Sequence, residues 1–167
     1  MTIHEICSII IAVCALGFTG YQVIQTRKHN RISCKPSLHT DISRKSVPEG
    51  YEITYTVKNS GLGPAIIDSV ELFANRKPFK SDDRHFRDLA DVLFKDIPHR
   101  VTYDGWLDSD YSLPEKESYI YCKVLFPSDY TNKDSVLDEA LDRADIIIRY
   151  KSFYGDELVL NSFEDRD

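Results

Sequence analysis

Residues 51–65 read Tyr51-Glu52-Ile53-Thr54-Tyr55-Thr56-Val57-Lys58-Asn59-Ser60-Gly61-Leu62-Gly63-Pro64-Ala65. The first eight alternate apolar and polar without a fault, the period-two mark of an antiparallel strand with one face buried and one in water. The run ends where two glycines offer positive φ and Pro64 cannot donate to a ladder, so the spacing of Asn59, Gly61, Gly63 and Pro64 predicts a structural turn. A second strand is expected over 65–75, apolar on both faces around Ile66, Ile67, Val70, Leu72 and Phe73.

Working outward from this pair, residues 118–126 place Ile120, Cys122, Val124 and Phe126 on one face of a strand. Residues 144–153 and 157–163 are joined by Tyr154-Gly155-Asp156, a tight hairpin signal. Weaker strand patterns cover 33–42, where Pro36 suggests a sheet edge, and 100–106, for seven strands in total. Two stretches break the period. Behind Ser81 as N-cap, with Asp82 and Asp83 in the first turn, Phe86, Leu89, Ala90, Leu93 and Ile97 recur at helical spacing up to Pro98. Behind Asn132 and Asp134, Val136, Leu137, Ala140, Leu141 and Ala144 form a second stripe. The expected fold is therefore mainly β: an immunoglobulin-like antiparallel β-sandwich with two short helical inserts.

Ahead of this body, residues 6–24 (ICSIIIAVCALGFTGYQVI) form 19 consecutive residues without a charge. As a helix they span about 28 Å, close to the thickness of bilayer hydrocarbon. Val13-Cys14-Ala15 offers small residues of the kind a signal peptidase accepts, but residues 1–5 contain no Lys or Arg, so a retained anchor is expected rather than a cleaved signal. Ser8, Ala12, Ala15 and Thr19 fall at i, i+4, i+7 and i+11, a face of small and hydroxyl side chains on which transmembrane helices pack. Membrane-proximal basic residues follow, Arg27, Lys28, Arg31 and Lys35, then Arg44 and Lys45; six lie after the span and none before it. By the positive-inside rule the C-terminal body is expected in the cytoplasm with the N-terminus outside. The basic stretch also fits contact with anionic lipid heads. The domains then read as a tail over 1–5, a transmembrane helix over 6–24, a basic collar with the first edge strand over 25–45, and the body over 46–167.

The chain has 167 residues and a formal charge of −6, of which residues 46–167 carry 15 basic against 25 acidic side chains. An acidic body has no basic footprint for phosphates, so no nucleic-acid partner is expected. The four cysteines make no CxxC, and the five histidines no HExxH or paired ligand spacing; GxxxxGK[ST], GxGxxG and GxSxG are all missing. No catalytic residue, metal or cofactor is expected, and an enzyme is the least favoured class. Asp104, Asp108 and Asp110 match no EF-hand spacing and read as a solvated acidic loop. An amide cradle for a peptide carboxylate at Gly61-Leu62-Gly63, as in PDZ domains, is disfavoured because Pro64 removes a donor. Cys34 and Cys122, both placed on strands, are expected to stay reduced in a cytoplasmic body.

The charge-free span, the collar Asn30-Arg31 with Pro36, and the turn Asn59 to Ala65 together resemble a loose group of uncharacterised bacterial single-pass membrane proteins with an immunoglobulin-like sandwich. The turn also resembles one in immunoglobulin-like adhesion and cell-surface modules. The resemblance implies an anchor in the bacterial inner membrane and a fold; it brings no activity. Taken together, these features lead to the expectation of a membrane-tethered module that binds or positions a protein partner, or self-associates. The alternatives are a membrane-acting effector or complex subunit assembled through its span, and an enzyme whose site is assembled from distant residues.

Overall fold

The structure is a computed structural model that describes residues 2–80, 86–130 and 134–163. Ser81, Asp82, Asp83 and Asn132, expected to cap and open the two helical inserts, lie outside the described residues. The described chain divides into two compact units, Met1–Cys34 and Lys35–Asp167.

The first unit is one helix, α1 (Ile3–Ser33), of 31 residues with no buried side chain. Thr2 N–H donates to the Glu5 carboxylate at 2.8 Å, placing an acidic side chain against the positive end of the helix. The helix runs nine residues past the apolar stretch, because Gln25 to Ser33 contain nothing that breaks a helix. Pro36 lies just beyond its end, and Lys35, which precedes it, is steered out of the helical region. Cys34 therefore caps a helix and is not on a strand, and the first strand, β1 (Leu38–Val47), begins five residues later than 33–42 suggested.

The second unit contains nine strands among the described residues: after β1 come β2 (Gly50–Asn59), β3 (Ala65–Ala74), β4 (Lys77–Phe79), β5 (Arg100–Asp104), β6 (Ser112–Leu113), β7 (Ser118–Phe126), β8 (Ala144–Lys151) and β9 (Glu157–Asn161). They form two antiparallel sheets, one ordered β1-β2-β7-β5 and one ordered β4-β3-β8-β9 with β6 added to β3. A sandwich of two sheets fits this arrangement. The core is shared by Ile53 and Val57 of β2, Val124 and Phe126 of β7, Ile67 of β3 and Ile148 of β8, each fully buried. Tyr150 of β8 ties the sheets together by accepting a bond from the Leu38 N–H of β1 at 3.3 Å.

The alternation of residues 51–58 behaves as the pattern predicts, with Tyr51, Ile53 and Val57 buried and Lys58 exposed. On β7 the expected face is broken. Tyr55 pairs with Cys122 and Thr56 with Ile120, so Tyr121 is the extra residue of a β-bulge. The bulge turns Tyr121 inward, leaving it 2% exposed, while Ile120 is only half-buried.

The inserts form as short helices, α2 (Phe86–Leu93) and α3 (Asp134–Leu141). Helix α2 buries Phe86, Leu89, Ala90 and Leu93 and packs against β5 and β7; Ile97 lies beyond its end and is partly buried. Asp104 Oδ1 accepts the Phe86 N–H at 3.0 Å, so an acid at the end of β5 meets the start of the described helix. Helix α3 buries Leu137, Ala140 and Leu141, but Val136 faces solvent and Ala144 already belongs to β8.

Candidate functional site

The two glycines of the turn were expected to supply positive φ; Gly61 serves a different need. A Cβ at Gly61 would lie 2.4–2.5 Å from Ser37 N, Lys35 O and Pro36 Cα, so the side chain must be absent for the β2–β3 loop to pack on the chain leading into β1. Asn59, fully buried, is the hub of the region. Its Oδ1 accepts from Ser37 N–H at 3.2 Å and Gly61 N–H at 3.0 Å. Its Nδ2 donates to Gly63 O at 2.8 Å and to the Leu113 and Pro114 carbonyls at 3.1 Å each. One side chain thus knits three chain segments, and the turn role expected of Asn59, Gly61, Gly63 and Pro64 extends to holding the β6 segment. The same loop engages two amides of the carboxylate cradle: Gly61 N–H donates to Asn59 and Leu62 N–H to Lys35 O, and beside them Ser60 N–H donates to Ser37 O.

In α1, Ser8, Ala12, Ala15 and Thr19 share an unbroken helix that is long and apolar enough to cross a membrane. The Thr19 hydroxyl donates to Ala15 O at 2.9 Å, within its own helix. The basic residues are divided between the units. Arg27, Lys28 and Arg31 extend α1, whereas Lys35 opens the body and Arg44 and Lys45 lie on β1. Arg44 is ion-paired with Asp138 of α3, so it serves the body's packing as well as its charge.

The chemical candidates recede. Asp104 is engaged at α2, and no group of three His, Cys, Asp or Glu side chains suited to a metal occurs among the described residues. All four cysteines are free thiols, and burial, reinforced by Asp104, pushes the Cys122 thiol up to about 12, far from nucleophilic.

The four sheet edges differ. β1 carries Asp41, Arg44 and Lys45 behind Pro36, β4 has only three residues including Lys77 and Pro78, and β5 begins with Arg100. Charges, prolines and shortness are how sheets deter edge pairing. β9 has Glu157-Leu158-Val159-Leu160-Asn161 with no proline or basic residue, and Val159 is 58% exposed. The hairpin leading into it presents Phe153 and Tyr154, edge-to-face at 5.6 Å and 71% and 46% exposed. The hairpin is legible in the sequence at Gly155, whose φ of 80° the turn requires, whereas the contrast between edges follows only from the strand order.

No protein-family model matches the chain, and no curated protein matches it either.

Proposed function

We propose that the chain is a membrane-tethered protein-interaction module, with α1 as a single-pass anchor in the bacterial inner membrane, the N-terminus outside and the body at the cytoplasmic face. The tally of basic residues after the span supports the orientation. An immunoglobulin-like identity for the body is supported by strand order. With β1 to β5 taken as A, B, C, C′ and D, and β7 to β9 as E, F and G, the sheets read A-B-E-D and C′-C-F-G. The helix α2 and strand β6 are additions flanking D, and the inter-sheet disulfide of antibody domains is replaced by aliphatic packing.

The observation that carries the interaction reading is the β9 edge. It is the least guarded of the four and is preceded by an exposed aromatic pair, which suits a protein partner that adds an extended strand and seats an apolar side chain beside Val159. The test is photocrosslinking of the full-length chain in its native membrane, with the photoreactive residue at Val159 or, as a guarded-edge control, at Thr102 of β5. A discrete protein adduct from Val159 that Phe153→Ser weakens, with none from Thr102, is expected. Equal labelling at both positions, or none at Val159, overturns the reading.

A further inference from the structure

Strand β9 ends its sheet, and its hydrogen bonds to β8 show which backbone groups face the open side. At the two ends of the pair these bonds fall on even-numbered residues: Ser162 N–H donates to Ile146 O at 3.1 Å, and Ser152 N–H to Asp156 O at 2.9 Å. Such pairs recur at every second residue of an antiparallel ladder. Leu158 and Leu160 therefore turn their backbone groups to β8, and Glu157, Val159 and Asn161 direct theirs outward. The side chains divide by the same parity. Leu160 is buried and Leu158 half-buried, whereas Glu157 and Val159 are exposed. The cations across from them on β8 are already matched, Arg149 by Glu71 and Lys151 by Asp68.

We propose that the occupant of this edge is β9 of a second copy of the chain, paired antiparallel about a two-fold axis at Val159; resting on the reading of β9 as the interaction surface, this names its partner. A five-residue strand pairs with itself over its whole length in one register: Val159 with Val159, Leu158 with Leu160, and Glu157 with Asn161 of the second copy. Other registers leave part of each strand unpaired, and sliding toward the hairpin brings the two Glu157 side chains together. In the centred register each acid instead meets an uncharged side chain. Val159 exchanges both backbone hydrogen bonds with its counterpart, and its side chain, 58% exposed in a single copy, is covered by a second valine. The hairpin carrying Phe153 and Tyr154 then reaches past the end of the second copy's β9, toward its half-buried Phe163. The contact closes on itself, so this edge stops at two copies. It is short, and confinement of both copies to one membrane surface raises their effective concentration.

The experiment is disulfide trapping of the full-length chain in its native membrane, with Cys7, Cys14 and Cys34 replaced by serine and copper-phenanthroline as oxidant. Cys122, 1% exposed, stays out of reach. Cα atoms of a hydrogen-bonded antiparallel pair lie about 5.5 Å apart, within disulfide range, so Val159→Cys should give a covalent dimer. Two copies of position 157, or of 161, stand about 14 Å apart in this register, so Glu157→Cys and Asn161→Cys should each give about tenfold less dimer alone. Co-expressed with different tags, those two chains should give a mixed dimer. Val159→Lys, which adds a charge at the edge and spares the core, should lower that mixed dimer about tenfold. Equal trapping at all three positions, or a mixed dimer that survives Val159→Lys, overturns the pairing. So does the lack of a dimer from Val159→Cys. In that case an adduct of photoreactive Val159 with a different protein keeps β9 as the interaction surface, and no adduct removes both readings.

Discussion

Asn59 and Tyr121 are both polar, both buried, and both in the unit that carries the sheets, yet the fold treats them in opposite ways. Asn59 makes five side-chain hydrogen bonds to three segments, and Tyr121 offers a hydroxyl that none of the described residues meets. A satisfied buried polar group specifies a structure, whereas an unsatisfied one lowers stability unless something else uses it. Asn59 therefore reads as architecture and Tyr121 as a ring whose packing outweighs the cost of its hydroxyl. The contrast can be broken from either side.

The largest effect should come from Asn59→Ala. It strips partners from two N–H groups and three carbonyls at a site closed to water, and the expected loss is about 3–4 kcal/mol. Denaturant unfolding of the full chain in micelles, followed by the fluorescence of Trp106, measures it. Asn59→Asp sharpens the point, since it keeps the acceptor for Ser37 and Gly61 but turns an oxygen toward the carbonyls of Gly63, Leu113 and Pro114. It should destabilise nearly as much. A loss under about 1 kcal/mol in both would remove Asn59 from the architecture. Next comes Gly61→Ala, whose methyl meets three backbone atoms at 2.4–2.5 Å. Backbone cannot swing aside as a flexible side chain can, so a cost of about 2–3 kcal/mol is expected in the same assay.

Much of the Asn59 side of this comparison is legible in the sequence. The unbroken alternation of residues 51–58 and the glycine-proline stop announce a strand and a turn, because both signals are local. What the turn binds is not local. Leu113 and Pro114 lie 54 and 55 residues from Asn59, and no periodicity points to them. Strands β4 and β6, of three and two residues, are too short to carry a period, and they exist because β3 supplies an edge to pair with. Tyr121 was hidden for a different reason. Strict alternation assigns it to the opposite face from Cys122, and only the bulge set by pairing with β2 brings both inward. The helix α1 outran its apolar stretch because hydropathy marks what lipid tolerates, not where hydrogen bonding stops.

A smaller effect appears at alkaline pH and tests how closed the Tyr121 neighbourhood is. Burial raises the Cys122 thiol to about 12 from 9.0, and burial first, then Tyr119, raises the Tyr121 phenol well above its usual 10.0. Groups raised in the folded state must stay protonated there while the unfolded chain ionises. Their contribution is complete below about pH 9 and declines as pH rises toward 12. Cys122 alone should cost about 1 kcal/mol by pH 10, and Cys122→Ala should flatten the unfolding profile between pH 8 and 10 relative to the parent. An identical slope in the two proteins would mean that water reaches the thiol.

The smallest change in stability, and the most informative, is Tyr121→Phe. The ring keeps its contacts with Phe86 at 4.7 Å and Tyr119 at 5.5 Å, so packing is preserved and only the hydroxyl leaves. Removing a buried group that makes no bond should leave stability unchanged or raise it by less than about 1 kcal/mol, the opposite sign to Asn59→Ala. A loss above about 1 kcal/mol would mean the hydroxyl is bonded in the folded chain, and the two buried polar groups would then be alike. A substitution that leaves stability unchanged or raises it identifies a hydroxyl that the fold carries at a cost, outweighed by the packing of its ring.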